Sequence, residues 1–167
     1  EGSSAANRLL VIRYLANGSD CSRFGFLVSK RIGNAAVRNR VKRRLREAVR
    51  LNPVKAGWDA LFIVRRGAGK AKYQELRGRF LIAEAKLRRQ LTELTPKRPD
   101  AWYELGVTLN HLRQTNEALD CLRKAWHISG QPDTPRSIVD IRELIRTTNA
   151  LNNLRETPEF KTLIKAP

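Results

Sequence analysis

Residues Arg23–Arg50 read RFGFLVSKRIGNAAVRNRVKRRLREAVR. The run FGFLVSK (Phe24–Lys30) is short, apolar and bounded by turn residues, which predicts a strand. IGN then breaks it, with Asn34 placed as the N-cap of a helix. From Ala35 to about Leu51, Val37, Val41, Leu45, Ala48 and Val49 recur at three- and four-residue steps and cover one helical face. Arg38, Lys42, Arg46 and Arg50 form an i, i+4 row beside that face, and Arg40, Arg43 and Arg44 fill the far side. Seven cations in little more than three turns repel one another, so an anion outside the chain is needed to offset them.

An ordinary exposed helix mixes its signs to gain i, i+4 pairs, whereas here only Glu47 interrupts the cations. A helix lying on a membrane surface carries Trp, Phe or Leu in bulk on its apolar face. Val, Ala and a single Leu suit packing on a sheet better. The pattern points to nucleic acid, and the excess of Arg over Lys suits bidentate phosphate contacts and stacking on bases. Composition alone does not choose RNA over DNA.

The charge is divided along the chain. The 167 residues carry a formal +17; residues 1–94 hold 22 Lys/Arg against 7 Asp/Glu, and residues 95–167 hold 11 against 9. The expected domains are accordingly a basic 1–94 and a nearly neutral 95–167. No apolar run approaches the roughly 18 residues that a span needs, and no signal-peptide pattern is present, so a cytoplasmic protein without membrane contact is expected. The chain begins at Glu1 and contains no Met, which reads as loss of the native N-terminus. Cys21 and Cys121 fit two free thiols in a reducing compartment better than a disulfide. His111 and His127 lack partners at metal-ligand spacing, so no protein-held metal is expected.

Around the opening stretch the basic half reads strand, strand, helix, strand, helix. RLLVIRYL (Arg8–Leu15) ends at the turn cluster ANGSD and is expected to pair with Phe24–Lys30 as a hairpin. NPVKAG ends the first helix. WDALFIV (Trp58–Val64) is a third strand and YQELRGRFLIAEAKLRRQL a second helix.

GFLVSKRIGNAAVRNRVKRRLREAVRLN closely resembles the signature of the bacterial ribonuclease P protein subunit, whose hallmark RNR is here Arg38-Asn39-Arg40. The resemblance extends back through SSAANRLLVIRYL and forward through GWDALFIVRRGA and YQEL, over roughly residues 2–80. It implies an α+β fold: helices packed on a four-stranded sheet, with the RNR helix in a left-handed βαβ crossover that breaks the usual handedness rule. It further implies binding to ribonuclease P RNA, which with its Mg²⁺ ions removes the 5′ leader of precursor tRNA. The protein itself would be neither catalytic nor metal-binding. By position, Lys30, Arg31, Arg40, Arg43 and Arg46 would meet the RNA subunit. Arg38, Asn39 and Lys42 would lie near the leader, and Val11 and Arg13 would line its cleft on the sheet. If about six such cations each neutralise a phosphate, binding weakens by on the order of a thousandfold between about 50 and 200 mM salt.

Two departures accompany the resemblance. The family begins with a helix whose aromatic residues wall the leader cleft, and this chain starts where that helix ends. The first strand of the family often carries an aromatic residue where this sequence has Arg13; Tyr14 beside it falls on the opposite face by strand alternation. Loss of the helix is expected to bare part of the sheet and to weaken leader binding more than binding of the RNA subunit.

After Gln90 the pattern changes. AWYELGVTLNHLRQTNEALDCLRKAW places Trp102, Leu105, Gly106, Leu109, Ala118, Leu122 and Ala125 at the offsets of a tetratricopeptide repeat, with Leu109 and Leu122 aliphatic where aromatics are usual. Gly106 and Ala118 let two helices approach, and the larger residues fill the seam. Ala83, Leu87, Leu91 and Leu94 make a stripe one repeat earlier, so the helix from about Tyr73 to Leu94 belongs to both halves. Downstream, QPDTPRS reads as a linker, IVDIRELIRTTNALNNL as a helix and TPEFKTLI as a closing turn. One clean repeat is too few for a solenoid, so this all-α extension needs support from elsewhere and can offer a surface to a protein partner. The pairing of the halves departs from the usual composition of the family; a natural fusion, a truncated chain and an engineered join each account for it.

The competing reading is a repeat-based scaffold that uses its basic half only to tether itself to structured RNA, such as ribosomal RNA. A self-contained nuclease lacks a His, Cys or carboxylate cluster to serve as base or metal site, and Asp59 has no local partner.

Overall fold

The computed structural model describes residues 2–19, 21–51, 57–132 and 140–165. Most of NPVKAG and of QPDTPRS lies outside these residues. The chain divides into two compact units, 1–87 and 88–167, with the division falling inside one helix.

The first unit holds four strands: β1 (Ser3–Ala6), β2 (Leu10–Ala16), β3 (Arg23–Leu27) and β4 (Trp58–Val64). Their order across the sheet is β1-β2-β4-β3. β1 escapes sequence reading because SSAA has little β propensity. It forms because Asn7 closes a tight turn: the Asn7 amide donates to the Leu10 carbonyl, and Asn7 Oδ1 accepts from the amides of Leu9 and Leu10 at 3.0 Å each. The Asn7 side-chain amide also donates to the Arg79 carbonyl at 2.7 Å.

The expected pairing of β2 with β3 is corrected. β4 lies between them, antiparallel to β2 with Ile12 opposite Phe62, and parallel to β3 with Phe26 opposite Phe62. WDALFIV can take the centre because it is apolar on both faces. Hydrogen bonds from Asn17 to Gly57 and Asp59, and from the Trp58 amide to Ser22 Oγ, hold its first residues between the ends of its neighbours.

One face of the sheet carries the core. Leu10, Ile12 and Tyr14 of β2 and Ala60, Phe62 and Val64 of β4 are buried. α1 (Ala35–Arg50), which links β3 to β4, buries Val41, Leu45, Ala48 and Val49. α2 (Tyr73–Leu94) buries Leu76, Phe80 and Leu81. Phe62 stacks on Phe26 at 5.1 Å between centroids and meets Phe80 at 5.8 Å, joining both strands to α2. A fully buried side chain such as Phe62 or Phe80 contributes about 1.5–3 kcal/mol.

In the second unit, α3 (Pro99–His111) packs on α4 (Thr115–Ser129). A Cβ on Gly106 would lie 3.0 Å from Leu122 and 3.2 Å from the Ala118 carbonyl, so glycine permits this approach. Leu119, Leu122, Ala125 and Trp126 of α4 share a core with Ile141 and Ile145 of α5 (Ile141–Thr147) and with Phe160 and Leu163 of α6 (Pro158–Lys165). The single helix read over IVDIRELIRTTNALNNL is corrected: α5 ends at Thr147, because Thr148 takes an extended conformation (ψ 130°). A 3₁₀ turn at Asn149–Leu151 follows. Asn110 of α3 donates to the Ala150 carbonyl and exchanges side-chain hydrogen bonds with Asn153, tying that turn down. TPEFKTLI forms the helix α6 rather than a turn. Trp126 is buried and Tyr103 half-buried, as core aromatics.

Candidate nucleic-acid interface

Asn34 caps α1, its side-chain oxygen accepting from the Val37 amide at 3.0 Å. Ahead of it, Lys30–Ile32 forms a 3₁₀ turn, and Gly33 takes φ 148°, a conformation side-chain-bearing residues rarely adopt. The turn is seated on Gly69, where a Cβ would lie 2.5 Å from the Ile32 carbonyl. Lys30 and Arg31 are thus presented, exposed, at the N-terminal end of the basic helix.

The helix cations separate by what they touch. Arg38 Nη1 donates to the Gly33 carbonyl at 2.7 Å, and Arg44 Nη1 to the Ala71 carbonyl at 2.9 Å, so both brace the fold. Arg50 pairs with Glu47 at 2.7 Å and holds that carboxyl below its usual range. Among the described residues no carboxylate pairs with Lys30, Arg31, Arg40, Lys42, Arg43 or Arg46. Arg40, Arg43 and Arg46 are exposed at three-residue steps, Lys42 is half-buried, and Asn39 is exposed beside Arg40. Arg46 lies 5.9 Å from the centroid of Phe26, so its guanidinium is held by an aromatic face rather than an acid.

The other face of the sheet is open. By alternation it carries Val11, Arg13 and Leu15 of β2, Leu61 and Ile63 of β4, and Leu27 of β3. Leu15 is 53%, Leu27 55% and Leu61 39% exposed, an unusual concentration of bare aliphatic surface. At one end Arg23 grips Asp59 with two hydrogen bonds of 2.8 and 2.6 Å, and Asn17 adds a third of 2.8 Å. These donors hold the Asp59 carboxyl down at about 2, so it is a structural anion and not a general base. Among the described residues no group of three or more His, Cys, Asp and Glu is arranged to hold a metal. Nor is any helix long and apolar enough to cross a membrane.

The residues expected to bind RNA therefore fall in two sets. Those on α1 and its preceding turn share one helix, while Val11 and Arg13 emerge from the face opposite the one α1 covers. Sequence reasoning did not single out Leu15, Leu27, Leu61 or the Arg23–Asp59 clasp. The alternation within LVIRYLA and WDALFIV was the available signal for the leucines of β2 and β4; the clasp joins residues 36 apart and has no local signature.

A family model described as ribonuclease P matches residues 1–93. The ribonuclease P protein component of Alkaliphilus oremlandii is 45% identical over 80 residues, covering 47% of this chain and 70% of the relative. That of Dehalococcoides mccartyi is 37% identical over 101 residues, covering 59% and 84%. A solved ribonuclease P protein from Staphylococcus aureus is 31% identical, covers 52% of this chain and 83% of its own, and superposes with a TM-score of 0.47. With a capped helix whose Arg40, Arg43 and Arg46 have no carboxylate partner among the described residues, set on a β1-β2-β4-β3 sheet, and a family match over more than half its length, this chain belongs to the ribonuclease P protein family.

Proposed function

We propose that this chain is the RNA-binding protein subunit of ribonuclease P, assisting a catalytic RNA in removing the 5′ leader of precursor tRNA. The observation that carries the reading is the set of exposed cations at Lys30, Arg31, Arg40, Arg43 and Arg46, none paired with a carboxylate among the described residues. In this reading these five meet the RNA subunit, and the family's left-handed crossover presents them. Arg38, Asn39 and Lys42 lie toward the leader, Arg38 keeping the donors not used on Gly33. Val11 and Arg13 line the leader's path on the open sheet face. Phosphate contacts position an RNA without reading its sequence, which lets one protein serve many leaders. Mg²⁺ and the hydrolysis belong to the RNA in this scheme, and the site of action is the cytoplasm.

The second unit is read as a tetratricopeptide-like extension for structural support or for a protein partner. What supports this is the close approach of α3 and α4 at Gly106, with Leu105, Leu109, Leu122 and Ala125 buried in the seam.

The test is cleavage of a leader-bearing precursor tRNA by a bacterial ribonuclease P RNA at low Mg²⁺. Stimulation by the parent chain and its loss in Arg38/Arg40/Lys42→Ala is the expected result. Absence of stimulation by either protein removes the reading and leaves an RNA-tethered scaffold.

A further inference from the structure

The open sheet face holds two guanidinium groups in unlike states. Arg23 is committed to Asp59 and Asn17 holds the same carboxylate, so that end of the face is electrically closed. Arg13 stands opposite Leu61 on β4 and Ser4 on β1, is exposed, and makes no hydrogen bond or ion pair among the described residues. Along β2 its neighbours on this face are Val11 and Leu15, and across the strands it has Leu61 on one side and the small Ser4 on the other. Leu61 lies over Gly25, where a Cβ would come within 3.0 Å of it, so the floor beside Arg13 stays low and flat.

A single strand of RNA laid on such a floor rests its bases on the apolar surface and turns its phosphates toward water. A base seated on Leu15 and Leu61 then presents its edge, not its phosphate, to Arg13. The guanidinium is a planar fork of N–H donors with no acceptor. On a single strand guanine offers two adjacent acceptors, O6 and N7, on one edge and cytosine offers O2 and N3, whereas adenine sets a donor beside its N7 and its N1 and uracil sets its N3–H between its two oxygens. Of the two bases that match the fork, the purine covers more of the aliphatic floor. We propose that Arg13 makes this face discriminate in favour of guanine over adenine at one position of the leader. The proposal rests on the leader-binding reading and adds a base preference to it.

The experiment uses the full chain with a bacterial ribonuclease P RNA and precursor tRNAs whose otherwise uniform adenine leader carries one guanine, moved a position at a time. Relative kcat/KM is measured for the parent, Arg13→Lys and Arg13→Ala. The expected result is one leader position where guanine is preferred over adenine by about fivefold or more, with the ratio near one in both variants, because lysine keeps the charge but loses the fork. General damage to the fold lowers all leaders alike and leaves the ratio intact. A parent that stimulates cleavage with no guanine preference at any position overturns this inference alone, as does a preference that survives Arg13→Lys. A parent that stimulates no leader overturns the leader-binding reading and this inference with it.

Discussion

The cations of residues 30–46 and those of the second unit meet different partners. In residues 88–167, Arg88 meets Glu104 at 2.8 Å, Arg98 meets Asp100 at 2.7 Å, Arg123 meets Asp120 at 2.7 Å and Lys161 meets Glu156 at 2.9 Å. From Lys30 to Arg46 in the first unit, none of the eight cations has a carboxylate partner among the described residues, and only Arg38 and Arg44 bond to backbone carbonyls instead. Where an acid answers a base within the fold, the charge serves the fold or does little; exposed pairs are worth about 0–1 kcal/mol. Where none answers, repulsion is left standing and the counter-charge must come from a binding partner. Neighbouring charges thus decide what an arginine does.

The contrast can be broken most sharply at Arg88, the most buried of these ion-paired cations. Arg88→Ala removes the pair from a largely buried Glu104 and is expected to cost about 3 kcal/mol in urea denaturation, with RNA affinity unchanged. Arg40/Arg43/Arg46→Ala should do the reverse. Stability holds or rises slightly as self-repulsion falls, while affinity for ribonuclease P RNA drops on the order of a hundredfold and its salt slope flattens by about 2 to 3. Loss of stability without loss of affinity in the triple variant would erase the distinction.

Two glycines sharpen the comparison at smaller scale. Gly69→Ala drives a Cβ against the Ile32 backbone oxygen, which cannot rotate away, and should cost about 2 kcal/mol. Because that turn presents Lys30 and Arg31, RNA affinity falls as well. Gly106→Ala meets Leu122 at 3.0 Å and the Ala118 backbone oxygen at 3.2 Å, a milder overlap, should cost about 1 kcal/mol, and leaves RNA affinity alone.

The smallest effect is acid-dependent. The folded Asp59 carboxyl titrates at about 2, below its ordinary 3.8, because Arg23 and Asn17 stabilise the anion. Its contribution is therefore present above pH 4 and is lost as pH falls through 2. Asp59→Asn should flatten the stability–pH curve in that window and lower neutral-pH stability by the same amount, a small one because Arg23 is highly exposed. A thermal-melt series from pH 5 to 2 reads it.

Much of the interface was legible because its grammar is local. A cap at Asn34, an apolar stripe from Val37 to Val49 and a row of cations all repeat within one or two turns, and the helix forms as read. The open face was half legible: alternation put Arg13 and Tyr14 on opposite sides, yet the exposure of Leu15, Leu27 and Leu61 depends on what else covers the sheet. β1 was illegible, since Ser and Ala carry no strand signal and Asn7 supplies the turn.

By itself, then, the sequence determined β2, β3, β4, α1, α2 and the α3–α4 pair as elements, where the cations lie along α1, and which family the first half resembles. Those properties come from interactions between residues a few places apart. Only the tertiary structure decided that β4 divides β2 from β3, that Arg38 and Arg44 bond to backbone carbonyls while Arg40 and Arg43 meet no carboxylate among the described residues, and that Asp59 is held by Arg23. Each of these sets one residue against partners supplied by the folded chain, many of them distant in sequence, and no local pattern encodes which donor will find which acceptor.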